Sequence, residues 1–262
     1  MILCIDAGNT NIKYGIFQNN KLLASFRVAT DYKKTCDEYG VTLINMLLCK
    51  NIKVTDLQGV IISSVVPSLN YTILHMCKSY LHLDAILVGA GTKTGHNIRT
   101  DNPKEVGSDR IVNNVAAIAK YGVPLIVIDF GTATTFNVIN SKKEFIGGVI
   151  SSGIRGALDS LVHGTAKLPK VELEIPKSAI AKNTITNMQA GILLGTAGAV
   201  EYIVNKIKTE LNEENVKVVA TGGFSDLIAD EVKCIQYVDR QLTLDGLNIL
   251  YHLNSKQDEK SS

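Results

Sequence analysis

Runs of basic residues, long apolar stretches and paired cysteines are all missing from this 262-residue chain. Lysine and arginine never cluster beyond the pairs Lys33-Lys34 and Lys142-Lys143, and 27 basic against 25 acidic residues leave a formal charge of +2. Binding a phosphate backbone takes a concentrated basic face, so nucleic acid is not an expected partner. No apolar run reaches the ~18 to 20 residues that cross a bilayer, and Asp6 interrupts the first one before it could act as a signal core. No membrane association is expected, and the chain is expected to be soluble and cytoplasmic. Cys4, Cys36, Cys49, Cys77 and Cys234 form no CxxC pair and have no histidine at ligand spacing, which fits reduced thiols rather than a disulfide or zinc framework. Only 5 prolines, with 45% hydrophobic and 20% charged residues, set the chain apart from disordered and collagen-like compositions.

What is present is an alternation of Ile- and Val-rich runs with amphipathic segments, the pattern of an α/β protein with covered central strands. Strands are expected at 2–5, 14–17, 22–28, 60–66 and 86–88, and again at 125–128, 135–139, 145–150, 217–221 and 234–237. Helices are expected at 39–49, 69–81, 109–120, 156–162, 188–211 and 244–253, with a polar tail at 256–262.

A repeat organises these elements. Shifted by about 123 residues, Ile2-Leu3-Cys4-Ile5-Asp6-Ala7-Gly8 overlies Leu125-Ile126-Val127-Ile128-Asp129-Phe130-Gly131, an apolar strand ending in Asp-x-Gly in each case. Gln18-Asn19-Asn20-Lys21 and Asn140-Ser141-Lys142-Lys143 are matching hairpin turns in which Asn is expected to take the positive φ. The second half carries an insertion around 165–211. Domains are therefore expected at 1–122 and 123–255.

One Asp-x-Gly marks an ordinary hairpin as readily as a site, but two at equivalent places point to a metal-bound polyphosphate. Gly8-Asn9-Thr10-Asn11 offers amides and a hydroxyl to phosphate oxygens and Lys13 adds a positive charge, while Thr132, Thr134 and Thr135 offer hydroxyls from the second half. Thr221-Gly222-Gly223 follows a third apolar strand. Asp109 sits beside Gly107 and Arg110 where a polar turn enters a helix, a place that suits either a general base or a helix N-cap paired with Arg110. Residues 188–211, with Gly191, Gly195 and Gly198, suit either a close helix interface or an intrachain core helix. His75, His82, His96, His163 and His252 form no ligand pair, and Ser151-Ser152-Gly153 lacks a hydrolase elbow.

Asp6-Ala7-Gly8-Asn9-Thr10-Asn11, Asp129-Phe130-Gly131-Thr132-Ala133-Thr134 and Thr221-Gly222-Gly223 resemble the two phosphate motifs and the adenosine motif of the actin, hexokinase and Hsp70 superfamily. Together with Asn102-Pro103-Lys104-Glu105-Val106-Gly107-Ser108-Asp109-Arg110, Leu168-Pro169, Asn183-Thr184 and Met188-Gln189-x-Gly191, they resemble bacterial type III pantothenate kinases from Met1 to about Leu253. The resemblance implies two ribonuclease-H-like halves around an ATP cleft, and ATP-dependent phosphorylation of the 4′-hydroxyl of pantothenate at the entry to coenzyme A biosynthesis. It implies ATP with magnesium on Asp6, Ala7, Gly8, Asn9, Thr10, Asn11, Ile12, Lys13 and Thr132, and a monovalent cation, potassium or ammonium, on Asp129. Asp109 is implied as proton acceptor. Pantothenate is implied on Thr100, Gly107, Ser108, Asp109 and Arg110, with Thr184 completing the pocket from the second subunit of a homodimer. There are two departures: Thr100 replaces the family's tyrosine two residues before Asn-Pro, which bears on affinity or fine positioning and implies a roomier pocket, and Ser108 replaces the usual alanine, a minor change. A nonenzymatic regulatory relative and a kinase for another small hydroxy compound are the alternatives.

Overall fold

The computed structural model describes residues 1–255, so the expected tail at 256–262 lies outside the described residues. The chain separates into two compact units: residues 1–95, 102–116 and 242–255 form the first, and residues 96–101 and 117–241 form the second. The expected halves differ from these units at 96–101, at 117–122 and at the C-terminal helix.

The first unit is built on a five-stranded sheet. β1 (Ile2–Ala7), β2 (Asn11–Gln18) and β3 (Lys21–Ala29) form an antiparallel meander. β4 (Gly59–Ser64) and β5 (Ala85–Leu87) extend it in parallel on the other side of β1, giving the order β3-β2-β1-β4-β5. Every residue of β1 is buried, because both faces of the sheet are covered. α1 (Cys36–Leu48) and α2 (Pro67–Met76) bury Tyr39, Leu43, Leu47, Leu69 and Ile73 against Leu3, Ile5, Ile12 and Ile62 on one face. α3 (Ser108–Tyr121) and the C-terminal helix, Leu242–Ser255, cover the other: Val112, Val115, Leu244, Leu247 and Leu250 pack on Ile2, Cys4, Phe17 and Ile61. That packing assigns the last helix to the first unit. Each fully buried Leu or Ile in it contributes on the order of 1.5–3 kcal/mol of transfer free energy.

The second unit repeats the meander with β7 (Leu125–Phe130), β8 (Ala133–Ile139) and β9 (Glu144–Ser152), and β10 (Lys217–Gly222) and β11 (Tyr237–Val238) run parallel beyond β7. Its order is β11-β10-β7-β8-β9-β6, the sixth strand being the two-residue β6 (Asn97–Ile98) beside β9. The repeat extends to a fine detail. The β2–β3 ladder slips between Ile16 and Phe17, and the β8–β9 ladder slips at the matching place between Val138 and Ile139, leaving Leu23 and Ile146 exposed. α4 (Ile154–His163), α5 (Thr184–Leu211) and α6 (Ser225–Ala229) follow, and α7 is the helix at Leu242–Ser255. One face of α5 (Leu193, Ala197, Val200, Val204 and Ile207) packs on Ile126, Ile128, Val218 and Ala220.

Three local expectations change. The helix expected at 69–81 is α2 followed by a wider turn, Cys77–Leu81, that ends where His82 takes φ +56°. The strand expected at 234–237 is reduced to Tyr237–Val238. In the second hairpin the positive φ falls on Lys143 rather than Asn140, because Asn140 Oδ1 accepts the N–H groups of Lys142 (3.0 Å) and Glu144 (2.9 Å) and shapes the turn with its side chain. Asn19 and Asn20 do take φ of +50° and +62° in the first. No helix among the described residues is long and apolar enough to cross a membrane.

Candidate functional site

In the first unit Asp6 occupies the carboxyl end of β1, a half-turn before the chain reverses into β2. Strand register sets Lys13 opposite it, and Lys13 Nζ lies 3.9 Å from Asp6 Oδ2. Between the closing pair Ala7–Ile12 lie Gly8, Asn9, Thr10 and Asn11, with Asn9 and Thr10 exposed. The turn is braced internally by Gly8 N–H to the Asn11 carbonyl (3.0 Å). It is also braced from β3's exit: Thr30 N–H donates to the Thr10 carbonyl (3.0 Å) and Thr30 Oγ1 donates to the Gly8 carbonyl (2.6 Å). Ala7 and Ile12 are buried, so their side chains serve the core.

α3 places the candidate base. Gly107 occupies the position before the helix, its carbonyl accepting the N–H of Arg110 (3.1 Å) and Ile111 (3.3 Å). Asp109 therefore lies inside the first turn rather than at the cap, and its Oδ1 accepts Arg110 N–H at 2.7 Å. A side chain on Gly107 would meet Asp109 Oδ1 at 2.6 Å, so the bare glycine gives the carboxylate its room. Burial pushes the Asp109 carboxyl above its ordinary range, against the lowering effects of the Arg110 N–H, the Arg110 guanidinium and Lys13. Burial likewise lowers Arg110, countered by Asp109. The influence of Lys13 ties the base to the β1–β2 turn within one unit.

Ser108 is committed to the protein. Its Oγ donates to the Ser64 carbonyl (3.0 Å), accepts Ser64 N–H (3.0 Å) and lies 3.0 Å from the Oγ of fully buried Ser63. The Ser108 hydroxyl thus bolts the start of α3 to the end of β4.

The second unit repeats the turn in a tighter form. Phe130–Thr134 is its closing pair, and Gly131 N–H donates to the Ala133 carbonyl at 3.1 Å. Asp129 stands in register between Thr135 on β8 and buried Thr221 on β10, an oxygen-rich neighbourhood, while Thr132 is exposed at the tip. Thr134 Oγ1 donates to the Ser152 carbonyl (3.1 Å), and Ser225 Oγ to the Gly222 carbonyl (2.9 Å). Thr100 follows β6 in this unit, and its Oγ1 is buried with no hydrogen-bond partner, a costly state that a ligand would relieve. Thr184 is exposed in the first turn of α5, whose cap, Asn183 Oδ1, accepts Thr186 N–H at 2.9 Å.

Of the expected residues, the structure brings Asp6, Lys13, Asp109 and Arg110 together in the first unit and Thr132 and Asp129 at the matching turn of the second. Thr30 and Ser63 escaped the sequence reading. Each acts through a bond to a residue at least 22 positions away, and no short motif carries that signal.

A family model described as type III pantothenate kinase matches residues 2–206. Among solved structures, a conserved Campylobacter jejuni protein described as a Baf family transcriptional activator is 17% identical, with a TM-score of 0.59 over 97% of this chain and 99% of that one. A Sinorhizobium meliloti protein described as a 2-dehydro-3-deoxygalactonokinase is 12% identical, with a TM-score of 0.61 over 97% of each chain. The activator of 2-hydroxyisocaproyl-CoA dehydratase from Clostridium difficile is 13% identical, with a TM-score of 0.53 over 100% of this chain and 97% of that one. At such identities the likeness speaks to the fold alone, a two-unit α/β architecture.

Proposed function

The chain belongs to the type III pantothenate kinase family, and from that premise we propose how its residues divide the reaction. The protein is a kinase that uses ATP to phosphorylate pantothenate, the opening reaction of coenzyme A biosynthesis.

The observation that carries it is Asp109: a carboxylate raised by burial, held by an N–H at 2.7 Å, and under the influence of the lysine that faces Asp6. A base with its affinity for protons raised, next to cationic groups, suits deprotonation of an alcohol at neutral pH. Asp109 accepts the proton of the pantothenate 4′-hydroxyl as that oxygen bonds to the γ-phosphorus. The bond from γ-phosphorus to the β,γ-bridging oxygen breaks, and ADP leaves. Such transfers depend on alignment and charge neutralisation more than on covalent chemistry. Lys13 supplies positive charge to the phosphates. Asp6, Gly8, Asn9, Thr10 and Asn11 form their cradle, with Ala7 and Ile12 as its buried supports, and Thr132 contributes a hydroxyl. Arg110, Gly107 and the start of α3 receive the anionic pantothenate. The orphaned hydroxyl of Thr100 finds its partner in substrate.

The donor sets fit the expected ions. Asp6 offers a carboxylate to magnesium, and Asp129 with its threonine neighbours offers hard oxygens to potassium or ammonium. These ions supply charge neutralisation of the triphosphate when bound.

We assign the protein to the cytoplasm, in keeping with five free cysteines. It works as a homodimer joined through α5, with Thr184 reaching the partner's pocket. α5 supports this with a second face: Gly191, Gly195 and Gly198 have open space where a side chain would sit, and Tyr202 continues that stripe, 65% exposed. Both readings of this helix find support, since its opposite face is core.

The test is ADP release with ATP and magnesium, with and without pantothenate, in potassium and then in sodium. Pantothenate-dependent turnover that falls in sodium is expected. Turnover indifferent to potassium refutes the role of Asp129, and a different hydroxy compound outcompeting pantothenate refutes the substrate pocket.

A further inference from the structure

We propose that Thr30 is a positioning residue for the nucleotide, holding the β1–β2 turn in the shape that receives phosphate. The inference rests on the reading of Gly8–Asn11 as the phosphate cradle. A turn that binds an anion must present N–H groups to it and keep its carbonyl oxygens, which repel phosphate, turned elsewhere. Thr30 does the second job at two points. Its Oγ1 takes up the Gly8 carbonyl at 2.6 Å and its N–H takes up the Thr10 carbonyl at 3.0 Å, so the two carbonyls that bracket Asn9 are both engaged from the β3 side. The ladder of β2 and β3 ends at Asn11–Ala29, so Thr30 is the first residue beyond the sheet and its side chain is free of any ladder duty.

The hydroxyl is not a requirement of the duplicated fold. The second unit's ladder ends at Ala133–Ser152, which makes Gly153 the counterpart of Thr30, and glycine has no side chain to donate. Thr30 therefore answers to what is particular to the first turn: its four residues, its exposed Asn9 and Thr10, and the Lys13–Asp6 pair that flanks its base.

The experiment compares Thr30→Val, Thr30→Ser and Asp6→Asn with the unaltered full-length protein by steady-state kinetics, ADP binding calorimetry and thermal melting. Losing the hydroxyl while keeping the shape is expected to raise KM for ATP and Kd for ADP about five- to tenfold, the scale of one lost hydrogen bond. KM for pantothenate stays within error, Tm falls by no more than about 1–6 °C, the same lost bond read in folding, and serine restores nucleotide binding. Thr30→Ala gives the same readout if valine fails to pack. Normal ADP binding in Thr30→Val, with binding lost in Asp6→Asn, overturns the role of Thr30 and leaves the cradle standing. Normal ADP binding in all variants overturns the cradle as well. A parallel rise in both KM values with a lowered Tm, unrescued by serine, reduces Thr30 to a structural residue and overturns the inference.

Discussion

The β1–β2 turn and the β7–β8 turn begin alike, with a carboxylate at a strand end and a glycine two residues on, and then diverge by one residue. In the first, four residues lie between the closing pair, and a threonine hydroxyl reaches in to hold a carbonyl at 2.6 Å. In the second, three residues lie between the closing pair, and the residue at the threonine's place is Gly153, where a Cβ would stand 2.1 Å from the Thr132 carbonyl oxygen. The three-stranded meanders agree down to the matching ladder slips, so within them the difference belongs to the turns. Duplication has preserved the scaffold and adjusted its tips: the longer turn leaves room for a side-chain brace, and the shorter one excludes any side chain at all. The chemistry is unequal too. Among the described residues, the candidate base with a raised carboxyl, Asp109, belongs to the first unit.

The largest expected effect breaks that inequality. Asp109→Asn is expected to lower kcat by about 10²- to 10⁴-fold, the usual scale of general-base catalysis, while ADP binding persists. Near-normal turnover would move proton acceptance elsewhere. The same variant has a stability signature. Because the folded carboxyl is raised, the folded state holds the proton more tightly than the unfolded chain, so Asp109 costs stability as pH rises from about 4, the unfolded carboxylate value, through its folded value. Asp109→Asn should therefore melt higher than the wild type at pH 7, and the gap should close at pH 4 or below. For the active enzyme, the acid limb of kcat/KM should fall above the ordinary carboxylate range.

Next in size is Gly153→Ala. The obstacle is backbone, which cannot swing aside, and overpacking of this kind costs about 3 kcal/mol, or roughly 6–12 °C in Tm for a chain of this size. Alanine tolerated at full stability would show that the second turn has slack at Gly153, and the contrast with Thr30 would dissolve.

The succession of strands and helices along the chain could be read from residues because its causes are local. Ile- and Val-rich runs alternate with amphipathic ones, and paired Asp-x-Gly turns mark equivalent strand ends. Asp109 could be found beside Gly107 and Arg110, though only the structure shows it inside the first helical turn and not at its cap. What could not be read depends on distant partners. α7 follows the second half in sequence yet joins the first unit, because Leu244, Leu247 and Leu250 are apolar enough to cover either sheet and only packing selects one. Asn97-Ile98 is too short to stand out as a strand. Ser108 looked like a small change from alanine, but Ser63 and Ser64 give its hydroxyl three hydrogen-bonded contacts.

The smallest expected effect concerns the strand that the first sheet lacks. β6 adds a sixth member beside β9 and leads directly to Thr100, whose buried Oγ1 has no partner. An unpaired hydroxyl costs the free protein about 1–3 kcal/mol, so its retention calls for a compensating bond when substrate is present. Thr100→Val should then leave Tm unchanged or raise it while increasing KM for pantothenate by a few-fold, with KM for ATP constant. Thr100→Tyr, the side chain that the resemblance implies at this place, should lower KM for pantothenate by a similar factor. If valine raises Tm and leaves both KM values alone, the hydroxyl is an unsatisfied group without function, and β6 is an extension of the sheet that carries no part of the substrate pocket.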